Sequence, residues 1–198
     1  MTARTSKQDR GIERQRAILD AAVSILLTGR MSAVTHRSVA DKAGVPPAAI
    51  RYYYSTREDL LSAALDTIES ARHFAAQNAA SPSGQATIDS TVTRLLHTYL
   101  GSTLDDVTIA ATIGWIADAP RESDRLAAEL AEVWKDIESD VAHTLIACGY
   151  SASWAGLCAH IIDGSILAAV AGGRENLANY ASAPLHEFLK LAKTNAQD

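Results

Sequence analysis

Hydrophobic residues recur three and four positions apart along most of the chain, which is the spacing of amphipathic α-helices. The segment from Ile12 to Thr28 shows this pattern first, and Gly29 ends it. The clearest case runs from Arg121 to Cys148, where the acidic residues between the apolar positions are interpreted as a solvated face. No segment has the strict alternation of a strand. The pattern predicts an all-α fold of about nine helices.

Turn-forming residues mark where the other helices begin and end. Proline and glycine interrupt a helix, whereas serine and threonine cap its start. Val107 to Ala117 is apolar on nearly every side, which predicts a central helix that ends at Ala119-Pro120. The remaining expected helices begin after Thr56, near Ala86, at Ser151 or Ser153, and at Pro184.

Between Thr35 and Leu61 the chain combines two short helices, a glycine turn and the start of a third helix. Thr35 can cap the first short helix, and Gly44 can adopt the left-handed backbone of a sharp turn. Pro47 suits the first turn of the second short helix, because its missing N–H costs little there. This order is the layout of a helix-turn-helix DNA-binding motif.

The outer face of the second short helix suits a DNA major groove. Ile50 and Tyr54 are four apart and should face inward, which leaves small, arginine and tyrosine side chains outside. Alanine permits close approach, arginine can pair with guanine, and tyrosine hydroxyls bond phosphates. Arg57, at the positive end of the next helix, fits a phosphate contact. The expected DNA-contacting residues are Thr35, His36, Arg37, Pro47, Ala48, Arg51, Tyr52, Tyr53 and Arg57.

Roughly residues 12 to 61 resemble the amino-terminal signature of the tetracycline-repressor (TetR) family of bacterial transcriptional regulators. The signature fixes residue types across three helices and two turns. Arg51 is the informative departure, since the family usually has tyrosine there; this cation can read a base or hold a phosphate. The matching residues are Ile18, Ala21, Ala22, Gly29, Thr35, Val39, Ala40, Ala43, Gly44, Val45, Ile50, Tyr52, Arg57 and Leu60.

The resemblance implies two domains, a DNA-binding head over residues 11–56 and a ligand-binding and dimerisation domain over residues 57–198. In the family the last two helices form a homodimer, and here they would be about Ser153 to Ala171 and Pro184 to Lys193. The first of these helices has too few polar residues to be left exposed. An ordinary buried helix in a monomer is the alternative interpretation.

A small-molecule effector, largely apolar, is the expected guest of the second domain. Trp115 is expected on the pocket wall because it lies on the most apolar helix. His160 and Asp163, three apart, can hydrogen-bond to each other and touch a ligand or tie the dimer. The alternative interpretation of each candidate is a core or interface residue. The candidate ligand-binding residues are His97, Tyr99, Trp115, Asp118, Trp134, His143, His160 and Asp163.

Charge is distributed unevenly along the 198 residues, whose net charge is −5. Residues 1–60 hold ten basic and six acidic residues, net +4, and the remaining 138 hold eight and seventeen, net −9. This asymmetry is expected when one end approaches the phosphates of double-stranded operator DNA. Residues 1–10 are interpreted as a mobile basic arm that touches DNA, or as a solvated tail.

Other classes of protein have less support. No apolar run is expected to approach the roughly 20 residues of a membrane span, so a cytoplasmic protein without a membrane partner is expected. Cys148 and Cys158 lack metal-ligand spacing, and no catalytic or cofactor motif is present, so neither an enzyme nor a cofactor is expected. Two alternatives remain. One is a metal site formed by His97, His143 and His160 with Asp163, and the other is a DNA-binding regulator without a ligand.

Overall fold

The computed structural model describes residues 7–81 and 86–194, and within these ranges it contains nine α-helices and no strand. The expected all-α fold is therefore confirmed. Two short 3-10 helices, Met31–Ala33 and Ala152–Trp154, precede α2 and α8. The helices are α1 Lys7–Thr28, α2 His36–Ala43, α3 Pro47–Tyr53, α4 Arg57–Ala80, α5 Ile88–Leu100, α6 Asp106–Glu122, α7 Asp124–Ala147, α8 Ala155–Ala171 and α9 Leu177–Thr194.

Local caps determine where α2 and α3 lie. The Oγ1 of Thr35 accepts a hydrogen bond from the Ser38 N–H at 3.0 Å, and Ser38 Oγ accepts from the Thr35 N–H at the same distance. Gly44 ends α2 with φ +65°, a backbone that favours glycine. Ile50 and Tyr54 are buried beneath α3, which leaves its opposite face exposed. The predicted helix-turn-helix geometry follows from these contacts.

The core of the head continues into the second domain. Ile18 and Leu60 belong to the same buried hydrophobic cluster as Trp115 of α6 and Leu126 of α7. A second cluster joins α5, α7, α8 and α9, with Ile162 and its neighbours at the centre. Helix α4 therefore packs on α1 at one end and on α5 and α7 along its length.

The first helix begins earlier than the sequence pattern predicts. Residues 7–10, expected to belong to a mobile arm, form the first turn of α1, whereas residues 1–6 of that expected arm lie outside the described residues. Extending an existing helix adds one hydrogen bond per residue ordered, so no apolar face is needed there. Hydrophobic periodicity therefore locates the buried part of α1 and misses its polar start.

Two prolines expected at helix boundaries lie inside helices instead. Helix α6 continues through Pro120 to Glu122, and α9 begins at Leu177 and includes Pro184. A proline inside a helix costs about 3 kcal/mol, which the packing of neighbouring core residues offsets. The carboxylate of Asp106 accepts hydrogen bonds from the N–H groups of Asn176 and Leu177 at 2.6 and 2.8 Å and so caps α9. This cap lies 70 residues away in sequence.

Helix α8 is more apolar than expected. The segment Ala152–Ala171 is 20 residues long, and an 18-residue window within it has mean hydropathy 1.5, so it is long and apolar enough to cross a membrane by length and composition alone. The expectation that no run approaches this length is therefore wrong. The helix packs against α7 and α9, while Leu157 and Leu167 remain exposed. This arrangement is that of a core helix with one uncovered face.

Candidate functional site

The outer face of α3 carries the side chains best placed to contact DNA. Arg51 is exposed, and Tyr52 is 83% exposed. Pro47 and Ala48 are exposed at the start of the same helix, and Arg37 is exposed on α2. Tyr52 packs edge-to-face on Tyr53, with ring centroids 5.0 Å apart, which restrains both rings. This face therefore combines the small side chains of Pro47 and Ala48 with the cation of Arg51 and the phenol of Tyr52.

Thr35 and His36 are half-buried, and their side chains form hydrogen bonds that stabilise the fold. Thr35 forms the cap of α2 described above. A ring nitrogen of His36, Nε2, lies 3.1 Å from the backbone oxygen of Tyr54, so the histidine links α2 to the end of α3. Both residues fix the angle between the two short helices.

Tyr53 is also engaged within the head. Its hydroxyl donates a hydrogen bond to the Gly11 backbone oxygen at 3.1 Å, joining α3 to α1. The hydroxyl proton is therefore directed at protein, although its oxygen can still accept. The expected phosphate contact of Tyr53 competes with this structural contact.

Arg57 holds three parts of the molecule together. Its Nε donates to the Val34 backbone oxygen and its Nη2 to the Met31 backbone oxygen, both at 2.7 Å. Nη1 also donates to the Glu122 carboxylate at the end of α6. These contacts revise the expectation that Arg57 holds a phosphate, because the fork of its guanidinium is directed at protein acceptors.

A cavity of about 540 Å³ lies between α4, α6 and α7. Trp115 lines it, and of the eight candidate ligand-binding residues it is the one that does. The wall is less apolar than expected, because five carboxylates join the hydrophobic residues. The lining residues are Leu65, Asp66, Glu69, Ser70, Trp115, Glu129, Leu130, Glu132, Val133 and Asp136.

Other candidate ligand-binding residues contact one another away from this cavity. The buried Tyr99 donates its hydroxyl proton to Asp163, and its ring lies 6.0 Å from that of Trp134. Burial raises the pKa of both Tyr99 and Asp163, and the neighbouring carboxylate raises that of Tyr99 further. Asp163 is expected to pair with His160 of its own helix, but its hydrogen bond comes from Tyr99 of α5 instead.

The remaining candidates are dispersed. Nδ1 of His97 lies 3.0 Å from the Gly101 backbone oxygen, so it contributes to the end of α5. His143 and His160 are exposed, and Asp118 is half-buried on α6. Within residues 7–81 and 86–194, no three histidine, cysteine or carboxylate groups come together as a metal site.

Sequence patterns miss a buried arginine beside the cavity. Arg72 of α4 is 7% exposed; it donates to Glu69 and to Asp140 of α7, and to the Thr98 backbone oxygen at 2.7 Å. Burial lowers the pKa of its guanidinium, but Glu69 and then Asp140 raise this pKa above its ordinary value on balance. Asp140 lies 68 positions away, so periodicity gives no signal for the pair.

A chain of polar contacts connects the cavity to the start of α4. Glu129 Oε1 accepts from Nε of Arg125 at 2.9 Å and from the Ser62 hydroxyl at 3.0 Å. Nη1 of Arg125 donates to Asp59 Oδ1 at 3.0 Å. Hydrogen bonds from Ser55, Thr56 and Arg125 hold the pKa of Asp59 well below its usual range. Asp59 completes the capping box of Thr56, a few residues after the end of α3.

Comparison with known proteins identifies the class of the molecule. Residues 18–64 match the model of bacterial regulatory proteins of the tetR family. No curated protein matches the chain in sequence. Among solved structures, a TetR transcription regulator from Haloarcula marismortui ATCC 43049 has 17% identity and TM-score 0.70, covering 91% of this chain and 98% of that chain.

The multidrug binding protein EbrR has the same fold in two complexes. With imidazole it has 21% identity and TM-score 0.66 over 94% of this chain and 96% of that chain. With malachite green it has 22% identity and TM-score 0.62 over 88% of this chain and 97% of that chain.

The fold and the exposed face of α3 together define a helix-turn-helix DNA-binding regulator. Residues 18–64 therefore match the DNA-binding domain of the tetR family, and the chain as a whole has the fold of the TetR regulators it resembles.

Proposed function

We propose that this protein is a homodimeric repressor that binds operator DNA and is released by a small molecule. In this function, two copies of α3 enter adjacent major grooves about one helical turn apart. The observation that carries the DNA-binding part is the exposed Arg51 and Tyr52 face, which stands on the buried Ile50 and Tyr54. Pro47, Ala48 and Arg37 flank it, and no chemical reaction is needed.

Uncovered apolar side chains support the dimer. Leu157 and Leu167 of α8 are 43% and 57% exposed, and Tyr180 and Leu191 of α9 are 43% and 66% exposed. Several large apolar side chains exposed on two helices that pack against each other fit an interface with another protein. Burial of these residues against a second copy would remove them from water and produce a closed, symmetric pair.

The cavity and its polar connections support release by a ligand. A ligand weakens DNA binding only if it prefers the DNA-incompetent arrangement of the heads. Glu129 lines the cavity and is joined through Arg125 to Asp59, at the start of the helix that follows α3. A guest that displaces the Glu129 contact therefore has a physical path to the head. EbrR, of the same fold, is described as a multidrug binding protein.

DNA binding is tested by selecting preferred duplexes from a random library and measuring affinity for the selected and scrambled sequences. Arg51→Ala should cost roughly 2–6 kcal/mol on the selected sequence if Arg51 reads one guanine per half-site, at ~1–3 kcal/mol per bidentate pair. Scrambled DNA should be affected much less. Arg174→Ala, which removes an exposed arginine from the connection between α8 and α9, is the control and should leave both affinities unchanged.

Two outcomes would contradict the assignment. Equal losses for Arg51→Ala on selected and scrambled DNA would show that Arg51 holds a phosphate rather than a base. A library that yields no preferred sequence would reject the operator-binding function itself.

A further inference from the structure

The cavity beside Trp115 combines an apolar wall with an excess of carboxylates. We propose that it binds a hydrophobic organic cation. This inference rests on the proposed function, because it names the chemical class of the effector. The carboxylates are Asp66 and Glu69 from α4 and Glu129, Glu132 and Asp136 from α7.

The charge balance of the cavity favours a positive guest. None of its ten lining residues is lysine, arginine or histidine. Asp66 and Asp136 form no ion pair within the described part of the chain, and they stand on opposite sides of the cavity, on α4 and α7. They leave negative charge uncompensated at its rim. The other three carboxylates have cationic partners, in the pairs Glu69–Arg72, Glu129–Arg125 and Glu132–Lys135.

Two buried polar atoms in the wall lack hydrogen-bond partners among the described residues. Trp115 is only 7% exposed, and its indole Nε1–H has no acceptor. Glu129 uses Oε1 for Ser62 and Arg125, whereas its Oε2 has no donor. A buried carboxylate oxygen without a partner costs free energy, so a positively charged guest gains by approaching Glu129. The indole face of Trp115 adds attraction for a cation.

The apolar part of the wall requires an organic guest. Leu65, Leu130 and Val133 line the cavity together with Trp115. Its volume of about 540 Å³ falls within the range of pockets that hold drug-sized ligands. A hydrated inorganic cation would leave this apolar surface unused, and a hydrophobic anion would meet the carboxylates. A hydrophobic cation satisfies both parts of the wall.

Two probes of equal shape and opposite charge separate charge from hydrophobicity. Tetraphenylphosphonium and tetraphenylborate carry the same four phenyl groups, so calorimetric titration of the full chain compares the effect of charge directly. Tetraphenylphosphonium should bind at least about tenfold more tightly, and its affinity should fall as salt rises. The double variant Asp66→Asn/Asp136→Asn should weaken it about tenfold. Glu138→Gln removes an exposed α7 carboxylate outside the cavity and should change nothing.

Three results would overturn the inference: no binding of tetraphenylphosphonium, equal binding of both probes, or unchanged affinity in the double asparagine variant. Circular dichroism of each variant establishes that it is folded. The DNA-binding experiment fails or succeeds separately. Sequence-specific DNA binding without selectivity for the cation rejects this inference alone, whereas cation binding without sequence-specific DNA binding rejects the repressor function and leaves the cavity assignment standing.

Discussion

Individual side chains in the head divide into those that build it and those left free to contact DNA. Thr35, His36, Tyr53 and Arg57 each hydrogen-bond to backbone within the protein. Arg37, Arg51 and Tyr52 are exposed instead. Residue type and helical position alone do not separate the two groups, because arginine and tyrosine serve equally well as structural donors and as DNA contacts.

Arg57 and Arg37 give a direct test of this division. Arg57→Ala should lower the free energy of unfolding by about 2–4 kcal/mol, because two backbone oxygens and Glu122 lose a charged donor. The slope of log affinity against log salt concentration for DNA binding should not change.

Arg37→Ala should leave the free energy of unfolding unchanged and flatten that slope by about 2 units in a dimer, at ~0.9 per phosphate contact. Chemical denaturation and binding titrations at several salt concentrations measure both quantities. A flatter slope for Arg57→Ala would restore its phosphate role.

At the scale of elements, the sequence predicts well those helix ends and turns that depend on residues three or four positions apart. The caps at Thr35 and Thr56 and the turn at Gly44 lie where expected, since their partners are neighbours in the chain. The sequence pattern does not predict the start of α9, because its cap, Asp106, is distant in sequence.

The α7 acids show the same limit at the candidate site. Their pattern predicts a solvated face, yet Glu129, Glu132 and Asp136 line the cavity. Periodicity identifies which side of α7 is polar, but not that α4 lies beside that side. Trp115 could be proposed for the wall because an apolar helix has to be surrounded. The carboxylates beside it depend on how three helices come together.

The junction of α6 and α7 with α4 should carry the signal from cavity to head. Arg125→Gln removes the link between Glu129 and Asp59 and should leave DNA affinity within a few-fold of wild type. The loss of DNA affinity caused by tetraphenylphosphonium should shrink towards none, since coupling requires a contact that differs between the two states. Arg121→Gln is the matched control, because that arginine bonds its own helix at the Ala117 oxygen. An unchanged effect of the cation in Arg125→Gln, with unchanged cation affinity, would exclude this path.

At the scale of the whole molecule, one hydrophobic core joins the helix-turn-helix region to α6 and α7. Trp115 and Leu126 pack in one cluster with Ile18 and Leu60, so a shift of α6 or α7 is transmitted through close-packed side chains. In a symmetric pair, such a shift in each copy changes the separation of the two α3 helices. In the proposed function, the response to a ligand therefore depends on dimerisation through α8 and α9.

Gly164 on α8 offers a selective test of that dimer. A Cβ added there meets no atom within 4 Å in the single chain, so a larger side chain is tolerated by the monomer itself. Light scattering of the wild type should give twice the chain mass of 21.0 kDa. Gly164→Arg should give the single mass, because a charged side chain in a close helix contact costs several kcal/mol in desolvation and lost packing, about 2–7 kcal/mol for an unpaired polar group.

Ala128→Arg places the same side chain on an exposed position of α7, outside the uncovered α8 and α9 faces, and should remain a dimer. Gly164→Arg should also bind selected DNA more weakly, since each head then binds without the second and loses the gain of simultaneous engagement. Circular dichroism should show wild-type helicity for both variants, which separates loss of the partner from loss of the fold. A wild-type chain that is monomeric at micromolar concentration, or a Gly164→Arg chain that stays dimeric, would place the interface elsewhere than on α8 and α9.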